Sequence, residues 1–69
     1  MEKYTIEIAS VPDREKVVAE IWYLNIMLAE INQENENLQI ELFDSAERII
    51  NLEDFLIVLN DAKLKLLLD

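Results

Sequence analysis

The apolar residues of this chain change their spacing once, from every second residue in the first two thirds to a helical spacing near the end. Alternation at period two predicts strands with two unlike faces, and a spacing of about 100° per residue predicts an amphipathic helix. We therefore predict an α+β fold, an antiparallel four- to five-stranded β-meander with one C-terminal α-helix packed on one face. Residues 1–69 are predicted to form a single domain.

The predicted strands cover residues 3–9, 17–23, 27–32 and 38–43, and the predicted helix covers 52–67. Residues 46–50 fit either a short fifth strand at 47–50 or an earlier start of the helix. The strand is favoured because Asn51 is a good N-cap for a helix that begins after it. The chain contains no glycine, so asparagine is expected where hairpin turns need a positive φ. The asparagines in question are Asn25, Asn35 and Asn37.

One face of the predicted sheet is apolar and is expected to lie under the helix. The predicted core positions on the strands are Ile6, Ile8, Val17, Ala19, Ile21, Tyr23, Met27, Ala29, Ile31, Leu38, Ile40 and Leu42. The predicted core stripe on the helix consists of Leu52, Phe55, Leu56, Leu59, Ala62 and Leu66.

The opposite face of the sheet receives one glutamate from each strand: Glu7, Glu20, Glu30 and Glu41. Placing Glu20 opposite Glu30 centres a three-residue loop on Asn25, and placing Glu30 opposite Glu41 leaves a four-residue loop. Both loop lengths are common in hairpins. In this register the last three glutamates form a row across the sheet.

A neighbouring row in the same register holds Trp22, Leu28 and Phe43. Like charges placed opposite one another are destabilising, and large apolar side chains on an open face are disfavoured. An acidic row beside an apolar row therefore predicts a surface that binds a basic, partly apolar partner. The predicted partner-binding residues are Glu7, Glu20, Trp22, Leu28, Glu30, Glu41 and Phe43. The alternative is an ordinary solvated face, because outward strand positions are usually polar.

A second apolar stripe lies on the helix, nearly opposite its core stripe, and consists of Ile57, Leu64 and Leu68. A helix that is apolar on two sides is usually buried on two sides. We therefore expect a homodimer, through this stripe or through the row of Trp22 and its neighbours. The alternative is that the leucine-rich end covers a sheet edge.

Fifteen acidic and six basic residues give a net charge of −9. This charge opposes binding to nucleic acid and to anionic membranes, and it favours a basic protein surface as the partner. The sequence contains no signal-peptide pattern, no apolar run long enough to span a bilayer and no cysteine. We expect a cytoplasmic protein.

The composition lacks most of the residue types that catalysis commonly uses. No histidine, cysteine or glycine is present, which removes the usual nucleophile–base pairs, zinc ligands and phosphate-binding loops. We predict that the chain is not an enzyme and has no catalytic residues, no cofactor and no metal site.

Three segments, Ala19–Tyr23, Ala29–Glu34 and Leu52–Leu56, resemble small uncharacterised bacterial and phage proteins that are rich in strands and end in a helix. The resemblance covers most of the chain and implies the same fold, but it carries over no functional residues. In size and charge the chain is similar in type to small acidic phage anti-defence proteins, including anti-CRISPR proteins.

The predicted function is that of an acidic inhibitor encoded by a phage or mobile element and acting in the host cytoplasm. It would block a basic, nucleic-acid-handling defence protein such as a CRISPR effector, with its carboxylates imitating phosphates. The alternatives are a toxin immunity protein or antitoxin, and a structural homodimerisation module.

Overall fold

Four antiparallel strands form one sheet in chain order, and a helix follows them. The computed structural model describes residues 3–44 and 49–68. The strands are β1 (Tyr4–Ala9), β2 (Val18–Tyr23), β3 (Ile26–Asn32) and β4 (Gln39–Leu42), and the helix is α1 (Leu52–Leu68). These elements confirm the predicted α+β fold. Of the proposed fifth strand, residues 47 and 48 lie outside the described residues, and Ile49 and Ile50 are not in a strand.

The turn between β2 and β3 is shorter than predicted. Tyr23 pairs with Ile26, so only Leu24 and Asn25 connect the strands. The residue that adopts a positive φ is Leu24, at 55°, and not Asn25. A branched side chain is disfavoured in this conformation, so the turn is held by the strands that it joins. In the β3–β4 loop only the Asn35 side chain is seen to act in the turn, since its Oδ1 accepts a hydrogen bond from the backbone N–H of Asn37.

The helix begins where the sequence predicted. Asn51 caps it, because the Asn51 side-chain oxygen accepts a hydrogen bond from the backbone N–H of Asp54 at 3.0 Å. Glu53 and Asp54 lie in the first turn and Lys65 in the last, which suits the helix dipole at both ends. The helix packs on β2 and β1.

The core lies between the helix and the apolar face of the sheet. Its buried residues are Ala19, Ile21, Leu28, Ala29, Ile31, Val58, Ala62 and Leu66. Phe55, Tyr4 and Tyr23 close one end, where the two tyrosine rings meet edge to face at 5.0 Å. Most predicted core positions are therefore confirmed as buried or as packed against this cluster.

Five predicted core positions are wrong. Leu52 and Leu56 are exposed, because the helix is rotated so that Val58 faces the sheet in their place. Ile40 and Leu42 are exposed because the helix lies over β2 and β1 and does not reach β4. Met27 is displaced from the core by a β-bulge that brings Leu28 into it.

Candidate functional site

The four glutamates of the outer sheet face lie directly opposite one another. Glu7 pairs with Glu20, Glu20 with Glu30, and Glu30 with Glu41. Directly paired residues of antiparallel strands project to the same face, so one carboxylate row crosses all four strands. The predicted register of Glu20, Glu30 and Glu41 is confirmed, and the structure adds Glu7 to the row through its pairing with Glu20. Its role in binding stays a prediction.

Arg14, from the loop between β1 and β2, neutralises half of this row. Arg14 Nε donates to Glu30 Oε2 at 3.0 Å, and Arg14 Nη2 donates to Glu41 Oε1 at 3.0 Å. The Glu30 side chain is 9% exposed, whereas that of Glu41 is half exposed. The prediction that all these carboxylates face water is therefore wrong for Glu30. The hydrogen bond to Glu30 raises the pKa of Arg14 above its ordinary value.

The Arg14 loop is fastened to the loop between β3 and β4. The carboxylate of Glu34 accepts hydrogen bonds from the backbone N–H groups of Glu15 at 3.0 Å and Lys16 at 3.1 Å. Gln33 Nε2 donates to the carbonyl of Val17 at 3.0 Å. These contacts hold the loop against the end of the outer face. The N–H of Glu15, with a smaller effect from that of Lys16, lowers the pKa of Glu34 below its ordinary 4.5.

The depressed pKa of Glu34 predicts acid-induced release of this loop. The stabilisation is fully present above the unfolded pKa and is lost as the pH falls through the lower folded pKa. In an NMR titration the amide protons of Glu15 and Lys16 should therefore shift together at a pH below 4.5, and Glu34→Gln should abolish the step. Glu36→Gln, in the same loop, should leave it in place. If both amide shifts instead change at pH 4.5 or above, they do not report the hydrogen bonds to the Glu34 carboxylate.

The other half of the row, Glu7 and Glu20, forms no ion pair with any cation of the described residues. Among residues 3–44 and 49–68, the only ion pairs that the structure shows are those of Arg14. Trp22 Nε1 donates to Glu20 Oε1 at 3.2 Å, so the indole lies against the carboxylate. Thr5 is opposite Trp22, in the row next to Glu7 and Glu20.

These side chains line a shallow open groove of about 310 Å³, together with Leu24 and Asn25 of the β2–β3 turn. Its lining therefore combines two carboxylates, an indole and the exposed leucine at positive φ. Such a groove fits a cationic side chain that has an apolar stem. We call it the acidic groove.

The predicted row of Trp22, Leu28 and Phe43 is wrong. A bulge between Ile21 and Trp22 shifts the register, so that Trp22 pairs with Met27. Leu28 is the additional residue and is buried in the core at 4% exposure. Phe43 follows β4, half-buried, and its N–H donates to the carbonyl of Leu28. Of the three, only Trp22 lines the acidic groove.

The second predicted surface, the helix stripe of Ile57, Leu64 and Leu68, is exposed at all three positions. Within the described part of the chain, no cluster of three or more acidic, histidine or cysteine side chains is arranged to hold a metal ion. None of the described helices is long and apolar enough to cross a membrane.

Sequence reasoning missed Arg14, Thr5 and Leu24. Arg14 contacts Glu30, which lies 16 residues later in the chain, and nothing in the local sequence of a long loop predicts such a contact. Thr5 could have been found from the alternation of β1, since it shares a face with Glu7. Comparisons with protein-family models, curated proteins and solved structures found no match. The resemblance to small bacterial and phage proteins therefore stays a prediction.

Proposed function

We propose that this chain is a non-enzymatic binding protein that captures a basic surface of another protein through the acidic groove. The observation that carries the proposal is the unequal neutralisation of the carboxylate row. Arg14 forms ion pairs with Glu30 and Glu41, whereas Glu7 and Glu20 form none with the described residues.

Arg14 also indicates how the groove would bind. Its guanidinium bridges two glutamates that are direct cross-strand neighbours, with one nitrogen on each carboxylate. Glu7 and Glu20 are cross-strand neighbours in the same way. An arginine from a partner can bridge them with the same geometry and place its planar head beside the Trp22 indole. Arginine suits this groove better than lysine because one ammonium does not form such a fork.

The partner class that best fits this chemistry is a protein with an arginine-rich surface, such as one that handles nucleic acid. A carboxylate row and a net charge of −9 would compete with phosphates for that surface. The role is then that of an inhibitor in the cytoplasm of a host cell, and a phage or mobile element is the proposed source. A toxin gene beside the gene for this chain would instead favour an immunity protein.

Charge reversal in the groove tests this function. Glu7→Lys with Glu20→Lys should weaken binding to the partner roughly 100-fold, since like charges then face each other across the contact. The matched control is Glu36→Lys with Asp61→Lys, which changes the net charge equally at exposed sites outside the groove. Partners are captured from host lysate at low salt and released at high salt, and their affinities for both variants are then measured.

Trp22 provides a direct readout because it is the only tryptophan in the chain. An arginine-rich peptide should change its fluorescence saturably, and added salt should weaken the effect. The charge-reversed variant should show no saturable change, and the control variant should behave as the unmodified chain does. Equal affinity of both variants for a captured partner would exclude the groove as the binding site.

A further inference from the structure

The helix leaves part of the apolar sheet face uncovered. Leu42 pairs with Ala29 and Ile40 pairs with Ile31, so both β4 side chains project to the core side of the sheet. Leu42 is nevertheless 69% exposed, and Ile40 is 45% exposed. The reason is that α1 packs on β2 and β1. An apolar strip therefore runs along β4 on the helix side, and we call it the β4 strip.

The β4 strip lies where a second helix would pack. Neighbouring strands are about 4.8 Å apart, so β4 lies about 9.6 Å from β2, on which α1 packs. Packed helices are separated by about 8–10 Å. Because α1 also contacts β1, a helix laid beside it would lie over β3 and β4 and would contact the β4 strip. Residues 3–44 and 49–68 contain only the one helix, so the chain cannot supply a second one from these residues.

The same helix carries more apolar surface than its own sheet covers. Asp61 and Lys65 line a groove with Tyr4, Thr5 and Ile6, so that flank of α1 faces β1. The opposite flank, towards β4, carries Leu52, Leu56 and Leu67, all exposed. Lys63 lies on this flank too, and its aliphatic stem can run along the leucines while its ammonium reaches water.

The side of the helix that points away from its own sheet also carries exposed apolar residues, beside the polar Glu53 and Asn60. Ile57 and Leu64 are about half exposed there, and Leu68 is almost fully exposed. We propose that a second copy of this chain covers these surfaces, with the two helices side by side between the two sheets. The leucine flanks then face each other, and the outer side of each helix packs on the β4 strip of the other copy.

A two-fold axis parallel to the helices generates this arrangement and fixes the contacts along it. Phe55, in the first turns of α1, packs near Tyr4 at the end of the sheet closer to Leu42 than to Ile40. Because such an axis keeps positions along the helix unchanged, Ile57 of one copy meets Leu42 of the other. Leu64 then meets Ile40.

A second copy fits these surfaces better than a basic protein does. Among the described residues, the strip, the leucine flank and the outward side of the helix carry only Lys63 and Glu53 as charges, whereas the carboxylate row lies on the far side of the sheet. The arrangement also keeps the acidic faces of the two copies pointing outwards.

Sedimentation equilibrium of the full chain tests the dimer. The unmodified chain should form a dimer that tightens as salt rises, because salt screens the repulsion between two acidic copies. Leu42→Asp should weaken the dimer roughly 30-fold, the effect of a central interface residue. Leu24→Asp, at another exposed leucine that lies by the groove of the opposite face, should leave it unchanged. A monomer at all concentrations and salt levels would overturn the proposal.

Cross-linking tests the arrangement itself, and the chain has no native cysteine to interfere. A mixture of Leu42→Cys and Ile57→Cys chains should form the mixed disulfide in preference to either self-linked product. The rival arrangement joins two β4 edges into one continuous sheet. In the register that places Ile40 on the two-fold axis, Ile40→Cys alone would link to itself. Self-linking of that variant without the mixed product would overturn the helix-to-sheet arrangement. The acidic groove lies on the opposite face, so failure here leaves the proposed function standing.

Discussion

Replacing Arg14 by alanine is expected to lower the melting temperature by roughly 10 °C, a large effect for a residue in a surface loop. The cost arises at Glu30, whose carboxylate is nearly buried and lies in register between Glu20 and Glu41. With Arg14 removed, no cation among the described residues remains beside it. A buried charge that loses its partner is strongly destabilising, and its neighbours in the row add repulsion. The contact with Glu41 contributes less, since that carboxylate is half exposed.

Three companion variants separate charge loss from loss of packing. Lys16→Ala removes a cation from the same loop but breaks no side-chain ion pair shown by the structure, so it should have little effect. Arg14→Lys should recover only part of the stability, because a lysine does not bridge Glu30 and Glu41 as a guanidinium does. Combining Arg14→Ala with Glu30→Gln should recover more than half of the loss. Thermal unfolding followed by circular dichroism measures all four, and equal melting points for Arg14→Ala and Lys16→Ala would contradict the prediction.

Sequence reasoning predicted the phase of β1, β2, β4 and the second half of β3, and it predicted the register of Glu20, Glu30 and Glu41. Both follow from local rules, because alternation assigns faces and hairpin loop lengths limit the pairing. The register rule failed at the bulge between Ile21 and Trp22. The bulge shortens the turn by one residue, so that Met27 and not Leu28 pairs with Trp22. In a chain without glycine, neither the bulge nor the positive φ of Leu24 has a sequence signal.

The rotation of the helix was the second failure, and it has a different cause. Apolar residues occur on nearly every side of α1, so several core stripes are compatible with the sequence, and the stripe through Val58 displaced Leu52 and Leu56. The excess of apolar residues that hid the correct stripe is also what motivates the proposed dimer. Arg14 could not be predicted because a long loop places it by contacts with Glu34, far away in the sequence.

The two proposed surfaces respond to salt in opposite ways. Binding in the acidic groove should weaken as salt rises, and the dimer should tighten. Since the groove and the β4 strip lie on opposite faces of the sheet, a dimer would present two acidic grooves on its outer sides. A partner with two basic patches at a matching distance would then be held by both at once, and its apparent affinity would rise without any new contact.

Leu66→Ala and Leu64→Ala are expected to behave differently although they lie two residues apart on the same helix. Leu66 lies on the side of the helix that faces the sheet and is 1% exposed. Its truncation leaves a cavity and should lower the free energy of unfolding by about 2–5 kcal/mol. The whole domain is expected to be stable by only about 3–10 kcal/mol, so this single change would unfold a sizeable fraction of the molecules. Because the core lies within one copy, the loss should be the same at every protein concentration.

Leu64 is 49% exposed and contacts the second copy in the proposed dimer. Its truncation should cost less than about 0.5 kcal/mol in dilute solution, as expected for a surface position. At concentrations where the dimer forms, the cost should grow, because stability gained by association depends on protein concentration. Urea unfolding of both variants at low and high concentration measures the difference. A concentration-independent cost for Leu64→Ala as large as that for Leu66→Ala would mean that the helix packs on its own sheet in a different rotation, and the dimer would lose its basis.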